Sequence, residues 1–145
     1  MTGSRLLYGA NVRANGIRQH YLRYGGTGTP LILVPGITSP AVTWGFVAER
    51  LGERFDTYVL DVRGRGLSDA GPGLDYGLDA MADDVAAFAE ALGLRNYALL
   101  GHSMGARVAV RMKRRHADAA VGRIVLVDPP VSGPGRRPYP AQLGW

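Results

Sequence analysis

The chain has 145 residues, a length that suits one domain with its own hydrophobic core. It contains no cysteine, which excludes disulfide bonds and thiolate metal sites and favours a cytoplasmic location. The formal net charge is +5, but no nucleic-acid recognition motif accompanies it, so nucleic acid is not expected as a partner. No apolar run is long enough to span a membrane, so no membrane association is expected either.

An Asn-Gly pair near the N-terminus predicts a β-hairpin. Asn15 and Gly16 separate residues 11–13 from residues 17–24. Two-residue hairpin turns need positive φ angles, which Asn and Gly adopt most readily. We therefore expect two antiparallel strands joined at this pair.

Beyond the hairpin, short apolar runs alternate with amphipathic segments. Ser39 is a candidate N-cap followed by Pro40 at the first helical position, and the glycine-rich residues 63–76 are typical of a loop. Strands are predicted at 31–34, 57–61, 97–100 and 124–127, and helices at 39–51, 78–92 and 104–116. This alternation favours a single α/β domain with a mostly parallel sheet covered on both sides.

The strongest candidate for chemistry is Ser103, in the stretch Gly101-His102-Ser103-Met104-Gly105. The stretch closes a buried strand and opens a helix, which is the context of a nucleophile elbow. Its tight turn needs small flanking residues, and Gly101 and Gly105 provide them. The alternative is an incidental Gly/Ser turn.

A nucleophilic serine also needs donors that stabilise the developing oxyanion. The backbone N–H of Met104, directly after the serine, is one candidate. The other is the N–H of Ile37, in the loop 35–39, where Gly36 permits close approach of the backbone. A plain strand-to-helix connection is the alternative for this loop.

Three motifs carry a family resemblance. Val-Pro-Gly at 34–36, Asp-Val-Arg-Gly-Arg-Gly-Leu-Ser at 61–68 and the elbow at 101–105 resemble the α/β-hydrolase family in order and spacing, although Pro35 replaces the usual histidine. Residues 15–21, 35–40 and 127–137 resemble, more narrowly, a subgroup that hydrolyses the formyl amide of a small anionic substrate. The resemblance implies a serine hydrolase that uses no metal and no organic cofactor.

The resemblance also implies a catalytic acid. In this subgroup it is Asp128, although many relatives place the acid one strand later and a structural carboxylate is the alternative. Asp61 is interpreted as structural. His102 is expected to shape the substrate pocket or to pack, and neither His20 nor His116 suits the role of general base.

In this family the general base is a histidine that lies after the last strand of the sheet. We therefore expect the chain to be the N-terminal part of one hydrolase domain. Residues 131–145 would then begin the lid, and the C-terminal strands would be missing. Such a polypeptide is expected to be poorly soluble and nearly inactive, because its last strand is an exposed edge and its serine lacks a base. Alternatives are a hydrolase of esters or carbon–carbon bonds, and a non-catalytic binding module.

Overall fold

The computed structural model describes residues 5–130. Six strands form one sheet in the order β1-β2-β4-β3-β5-β6, in which β3, β4, β5 and β6 run parallel and the N-terminal hairpin is antiparallel. The strands are β1 Leu6–Ala14, β2 Ile17–Tyr24, β3 Thr29–Val34, β4 Phe55–Leu60, β5 Tyr97–His102 and β6 Val121–Val127. The helices are α1 Gly45–Leu51, α2 Leu78–Ala91 and α3 Met104–Arg115. The predicted fold class is confirmed.

The hairpin turns where the sequence predicts it. Asn15 and Gly16 have φ angles of 54° and 76°, the conformation that a two-residue turn requires. The structure extends the first strand well beyond residues 11–13. The second strand then pairs antiparallel with β4, with Tyr21 opposite Leu60, and so attaches the hairpin to the parallel part of the sheet.

The central strand β3 is buried on both faces. Ile32 and Val34 belong to a cluster with residues of α2 and α3, while Leu33 belongs to a second cluster with Ala48 of α1. All three of these strand residues are fully buried. This explains why residues 31–34 form a continuous apolar run, since neither face of the strand meets water.

The predicted helix at 39–51 begins differently from expectation. Ser39 does not cap it, and Pro40 is not its first residue. Pro40 remains extended, a short 3₁₀ helix covers Ala41–Trp44, and the α-helix starts at Gly45. The physical reason lies elsewhere in the chain. The carboxylate of Asp61, which follows β4, accepts the Ala41 N–H at 2.6 Å and so caps the 3₁₀ helix.

The other helices match the pattern closely. In α2, Met81, Val85 and Phe88 are buried, and Gly93 follows the helix with a φ of 66°, the left-handed conformation of a helix stop. His116 lies at the C-cap of α3 instead of within it. The four predicted strands are also present, and none begins later than predicted, but Asp61 lies just after β4 instead of within it.

The sheet ends at β6, which pairs only with β5 among the described strands. Val125, Leu126 and Val127 are 49%, 43% and 37% exposed, as expected for an edge strand. The predicted lid segment, 131–145, lies outside the described residues. Within residues 5–130, no helix has the length and apolarity needed to cross a membrane.

Candidate active site

Ser103 occupies a strained turn between β5 and α3. Its φ and ψ are 53° and −115°, a conformation that non-glycine residues rarely adopt. Strain of this kind is typical of functional positions, where it exposes a side chain that a relaxed turn would fold away. The strand, turn and helix predicted from the motif are all present.

The glycines of the motif are required by close backbone contacts. A Cβ at Gly101 would overlap the carbonyl of Gly105, and a Cβ at Gly105 would overlap the carbonyl of Val34. The start of α3 therefore sits directly against β3 and β5. Met104, the first helical residue, has an N–H with no acceptor inside the helix, as at any helix N-terminus.

Asp128 lies beside the serine at the same end of the sheet. The N–H of Ser103 donates to the carbonyl of Val127 at 3.0 Å, and His102 is the strand partner of Val127. Asp128 directly follows Val127 and has a φ of 48°. The structure thus places the predicted acid and the predicted nucleophile at the same end of two neighbouring strands, β6 and β5.

The loop after β3 packs against Ser103. Its residues 36–39 form a tight turn, closed by the N–H of Ser39 donating to the carbonyl of Gly36 at 3.3 Å, which leaves the Ile37 N–H outside the turn's own bonding. A Cβ at Gly36 would lie 3.5 Å from the Cβ of Ser103. The backbone of the loop therefore lies close to the nucleophile, as an oxyanion loop requires.

His102 packs behind this loop. Its ring contacts that of Trp44, with centroids 5.1 Å apart, and a Cβ at Gly36 would lie 3.3 Å from its Nδ1. The Nδ1 atom is buried and has no hydrogen-bond partner among residues 5–130. His102 therefore supports the loop from the side, and its role towards a substrate stays a prediction.

Arg65 holds the same loop from another direction, and sequence reasoning missed it. Its Nε donates to the carbonyl of Ile37 at 3.0 Å, and its Nη1 donates to the carbonyl of Arg63 at 2.8 Å. Arg65 is 9% exposed although it is charged. A charged residue between two glycines, within the stretch 61–68, was the available signal.

Arg63 anchors that motif through a buried ion pair with Asp84. Its Nε and Nη2 donate to the two carboxylate oxygens at 2.6 and 2.7 Å, and Asn15 of the hairpin turn donates to the same carboxylate. Burial raises the pKa of Asp84, while the hydrogen bonds from Arg63 and Asn15 oppose that rise. The network joins the hairpin, the loop and α2 into one unit.

Asp61 is a structural hub, as predicted. Its carboxylate is bonded to His20 Nδ1 at 2.7 Å and accepts the N–H groups of Ala41 at 2.6 Å and Leu67 at 3.1 Å. The residue is 4% exposed. Three separate segments are therefore tied to the end of β4.

Neither remaining histidine is placed to serve Ser103. His20 is engaged by Asp61, whose strand lies two positions from β5, or about 10 Å at the usual strand spacing. His116 follows the 12-residue helix α3, about 18 Å from its start, and is bonded to Asp83 at 2.7 Å. Within residues 5–130, the structure brings the serine, the acid and the loop together without a base.

A cleft of about 310 Å³ lies between α3 and the C-terminal end of β6, with the prolines that follow the strand. It is lined by Val110, Leu126 and Pro129 together with arginines of α3, and by none of the predicted site residues. No group of three or more metal-ligating side chains occurs within residues 5–130.

Comparison with known proteins extends these observations. Residues 29–142 match the family model described as the alpha/beta hydrolase fold. The chain is 71% identical to an N-formylmaleamate deformylase of Pseudomonas putida over 142 residues, covering 98% of this chain and 53% of the relative. It is 36% identical to a 2-(acetamidomethylene)succinate hydrolase of Mesorhizobium japonicum, over 74% of this chain and 38% of that protein.

A crystal structure is similar over the same region. That of an N-formylmaleamic acid deformylase from Pseudomonas putida S16 aligns with a TM-score of 0.84 and 62% identity, covering 92% of this chain and 51% of the other. The chain thus spans about half the length of the two deformylases that it resembles.

Proposed function

This chain belongs to the alpha/beta hydrolase family, and from that membership we propose that it carries the nucleophile of a serine hydrolase acting on N-formylmaleamate. The reaction would cleave the formyl C–N bond to release maleamate and formate. The observation that carries this proposal is the 71% identity to the Pseudomonas putida deformylase over 98% of the chain.

The geometry supports a consistent division of roles. Ser103 attacks the formyl carbon, and the N–H groups of Met104 and Ile37 stabilise the oxyanion of the tetrahedral intermediate. The C–N bond then breaks, the nitrogen leaves protonated as the amide of maleamate, and water hydrolyses the formyl-serine to formate. Asp128 orients the histidine that moves the proton in each step.

That histidine would come from polypeptide outside this sequence, since His20 and His116 are both engaged by aspartates away from Ser103. Without it the serine hydroxyl stays protonated near neutral pH and is a poor nucleophile. We therefore expect the chain alone to hydrolyse N-formylmaleamate only slowly. We also propose that an arginine binds the carboxylate of the small anionic substrate, and that the reaction takes place in the cytoplasm.

The test uses a chimera in which this chain replaces the matching half of the Pseudomonas putida deformylase. Formate release from N-formylmaleamate is measured for the chimera, for the chain alone and for the chimera with Ser103→Ala. We expect turnover by the chimera, little by the chain, and none above background by the Ser103→Ala variant.

Two outcomes would redirect the assignment. A chimera that prefers an ester, or 2-(acetamidomethylene)succinate, over N-formylmaleamate would retain the hydrolase chemistry but overturn the substrate. A folded chimera with unchanged turnover after Ser103→Ala would overturn Ser103 as the nucleophile.

A further inference from the structure

Two hydrogen bonds of unequal strength restrain the loop that carries Ile37. Inside the loop, one backbone bond of 3.3 Å joins Ser39 to Gly36. From outside, the guanidinium of Arg65 donates to the Ile37 carbonyl at 3.0 Å. Hydrogen bonds from a charged donor are about twice as strong as those between neutral groups. Arg65 is therefore the stronger of the two restraints on this turn.

Arg65 is itself held rigidly. Its second bond, from Nη1 to the carbonyl of Arg63, ties it to a residue that is fixed by the buried pair with Asp84. The guanidinium is planar, so two bonds to two different carbonyls define its orientation. The restraint runs from helix α2, through the motif loop, to the loop beside Ser103.

The Ile37 carbonyl and the Ile37 N–H belong to the same residue, on two successive peptide units. Fixing the carbonyl restricts the ψ angle of Ile37, and with the Gly36–Ser39 bond it restricts the direction of the N–H. An oxyanion donor is effective only when it is aimed before the charge develops. A small change in aim is enough to lower the rate.

We propose that Arg65 is a positioning residue, which holds the Ile37 N–H in the direction that oxyanion stabilisation requires. The inference rests on the proposed function, in which Ile37 supplies one of the two donors. Arg65 would act on the chemical step and not on substrate binding, because its guanidinium is buried and donates to backbone carbonyls of the protein.

The first experiment measures amide hydrogen exchange in the chain itself. Arg65→Met removes both bonds, Arg65→Lys keeps a charged donor that can reach one carbonyl, and Arg50→Met removes an exposed arginine at the end of α1 as a matched control. We expect exchange at residues 37–39 to be faster by about tenfold in Arg65→Met, partly restored in Arg65→Lys and unchanged in Arg50→Met.

The second experiment measures steady-state kinetics with N-formylmaleamate in the chimera. Arg65→Met is expected to lower kcat by about 10- to 100-fold with KM changed by no more than about twofold. Arg65→Lys should recover part of the loss in kcat. Circular dichroism and urea unfolding show whether each variant is folded, and Arg65→Lys provides the comparison if Arg65→Met is not.

Each outcome decides the proposal. Unchanged exchange at residues 37–39 in a folded Arg65→Met variant would overturn the restraint, and faster exchange with unchanged kcat would overturn its role in catalysis. A larger effect on KM than on kcat would also contradict it. A wild-type chimera without turnover would refute the proposed function instead, and the exchange experiment would still decide whether Arg65 holds the loop.

Discussion

Ser103 and Asp128, at the ends of two neighbouring parallel strands, both have a left-handed backbone, with φ angles of 53° and 48°. Aspartate adopts a positive φ more readily than most non-glycine residues, whereas the combination of φ and ψ at Ser103 costs about 1–3 kcal/mol. The strain is thus concentrated at the proposed nucleophile. It is maintained by the contact of α3 with the sheet, which Gly101 and Gly105 make possible.

The strain at Ser103 predicts an inversion of the usual effect of glycine. Ser103→Gly should be more stable than Ser103→Ala by about 1 kcal/mol, because glycine adopts positive φ without steric cost. Urea unfolding of the two variants measures the difference. Ala109→Gly, inside α3, should instead lose about 1 kcal/mol. If Ser103→Gly were the less stable of the pair, the turn would not be strained.

The two strand-end aspartates should respond differently to the same change. In the chimera, Asp128→Asn should lower kcat by about 10⁴-fold with little loss of stability, since asparagine keeps the size and also tolerates positive φ. Asp61→Asn should instead lower the free energy of unfolding by about 1–3 kcal/mol, because an amide group cannot accept all three bonds of the hub.

Kinetics and urea unfolding of both variants separate these roles. Near-normal turnover by Asp128→Asn would contradict its assignment as the acid and favour a carboxylate on a later strand. An Asp61→Asn variant as stable as the parent would contradict the structural hub.

A pH-dependent contribution to stability is expected at Asp83. Hydrogen bonds from Arg115 and then from His116 lower the pKa of its carboxyl below the ordinary range. A lowered pKa in the folded state gives stability that is present above the unfolded pKa, about 3.9, and is lost as the pH falls through the folded value. Asp83→Asn should therefore lower Tm at pH 6, with a difference that shrinks below about pH 4.

Thermal unfolding at pH 3, 4 and 6 measures this difference, with the exposed Asp118→Asn as control. The effect should be small and should weaken in salt, since the Asp83 side chain is 29% exposed. A difference of equal size at pH 3 and pH 6 would show that the pairing is not its source.

The exposed edge at β6 predicts self-association of the chain. Val125 is 49% exposed on a strand that has a described partner on one side only. Lysine on such an edge opposes strand addition by another molecule. Val125→Lys should therefore lower the average mass measured by light scattering. Leu67→Lys, at a loop residue that is 65% exposed, should leave it unchanged. Equal effects would indicate general hydrophobic association.

Local patterns were sufficient for most of the fold. The turn at Asn15-Gly16, the buried run of β3 and the stop of α2 at Gly93 all depend on residues close in sequence. The same holds for the elbow around Ser103, whose context of strand, turn and helix is visible in the sequence.

Contacts between distant residues could not be read in this way. The predicted start of the helix after Ser39 was wrong because the group that caps this segment is Asp61, 20 residues beyond Ala41. Arg65 lies 28 residues from Ile37, and Arg63 lies 21 residues from Asp84. A motif names such residues, but only the folded sheet shows which group each one contacts.

The bond from the Ser103 N–H to the Val127 carbonyl couples the proposed nucleophile to β6, an edge strand of the described sheet. Edge strands with exposed side chains are among the first parts of a domain to fray. Fraying of β6 would release Ser103 and displace Asp128 while the hairpin and the central strands stayed intact. Heat or urea would then disrupt the geometry around Ser103 before the bulk of the fold is lost, so that opening of the site and global unfolding become two separate transitions.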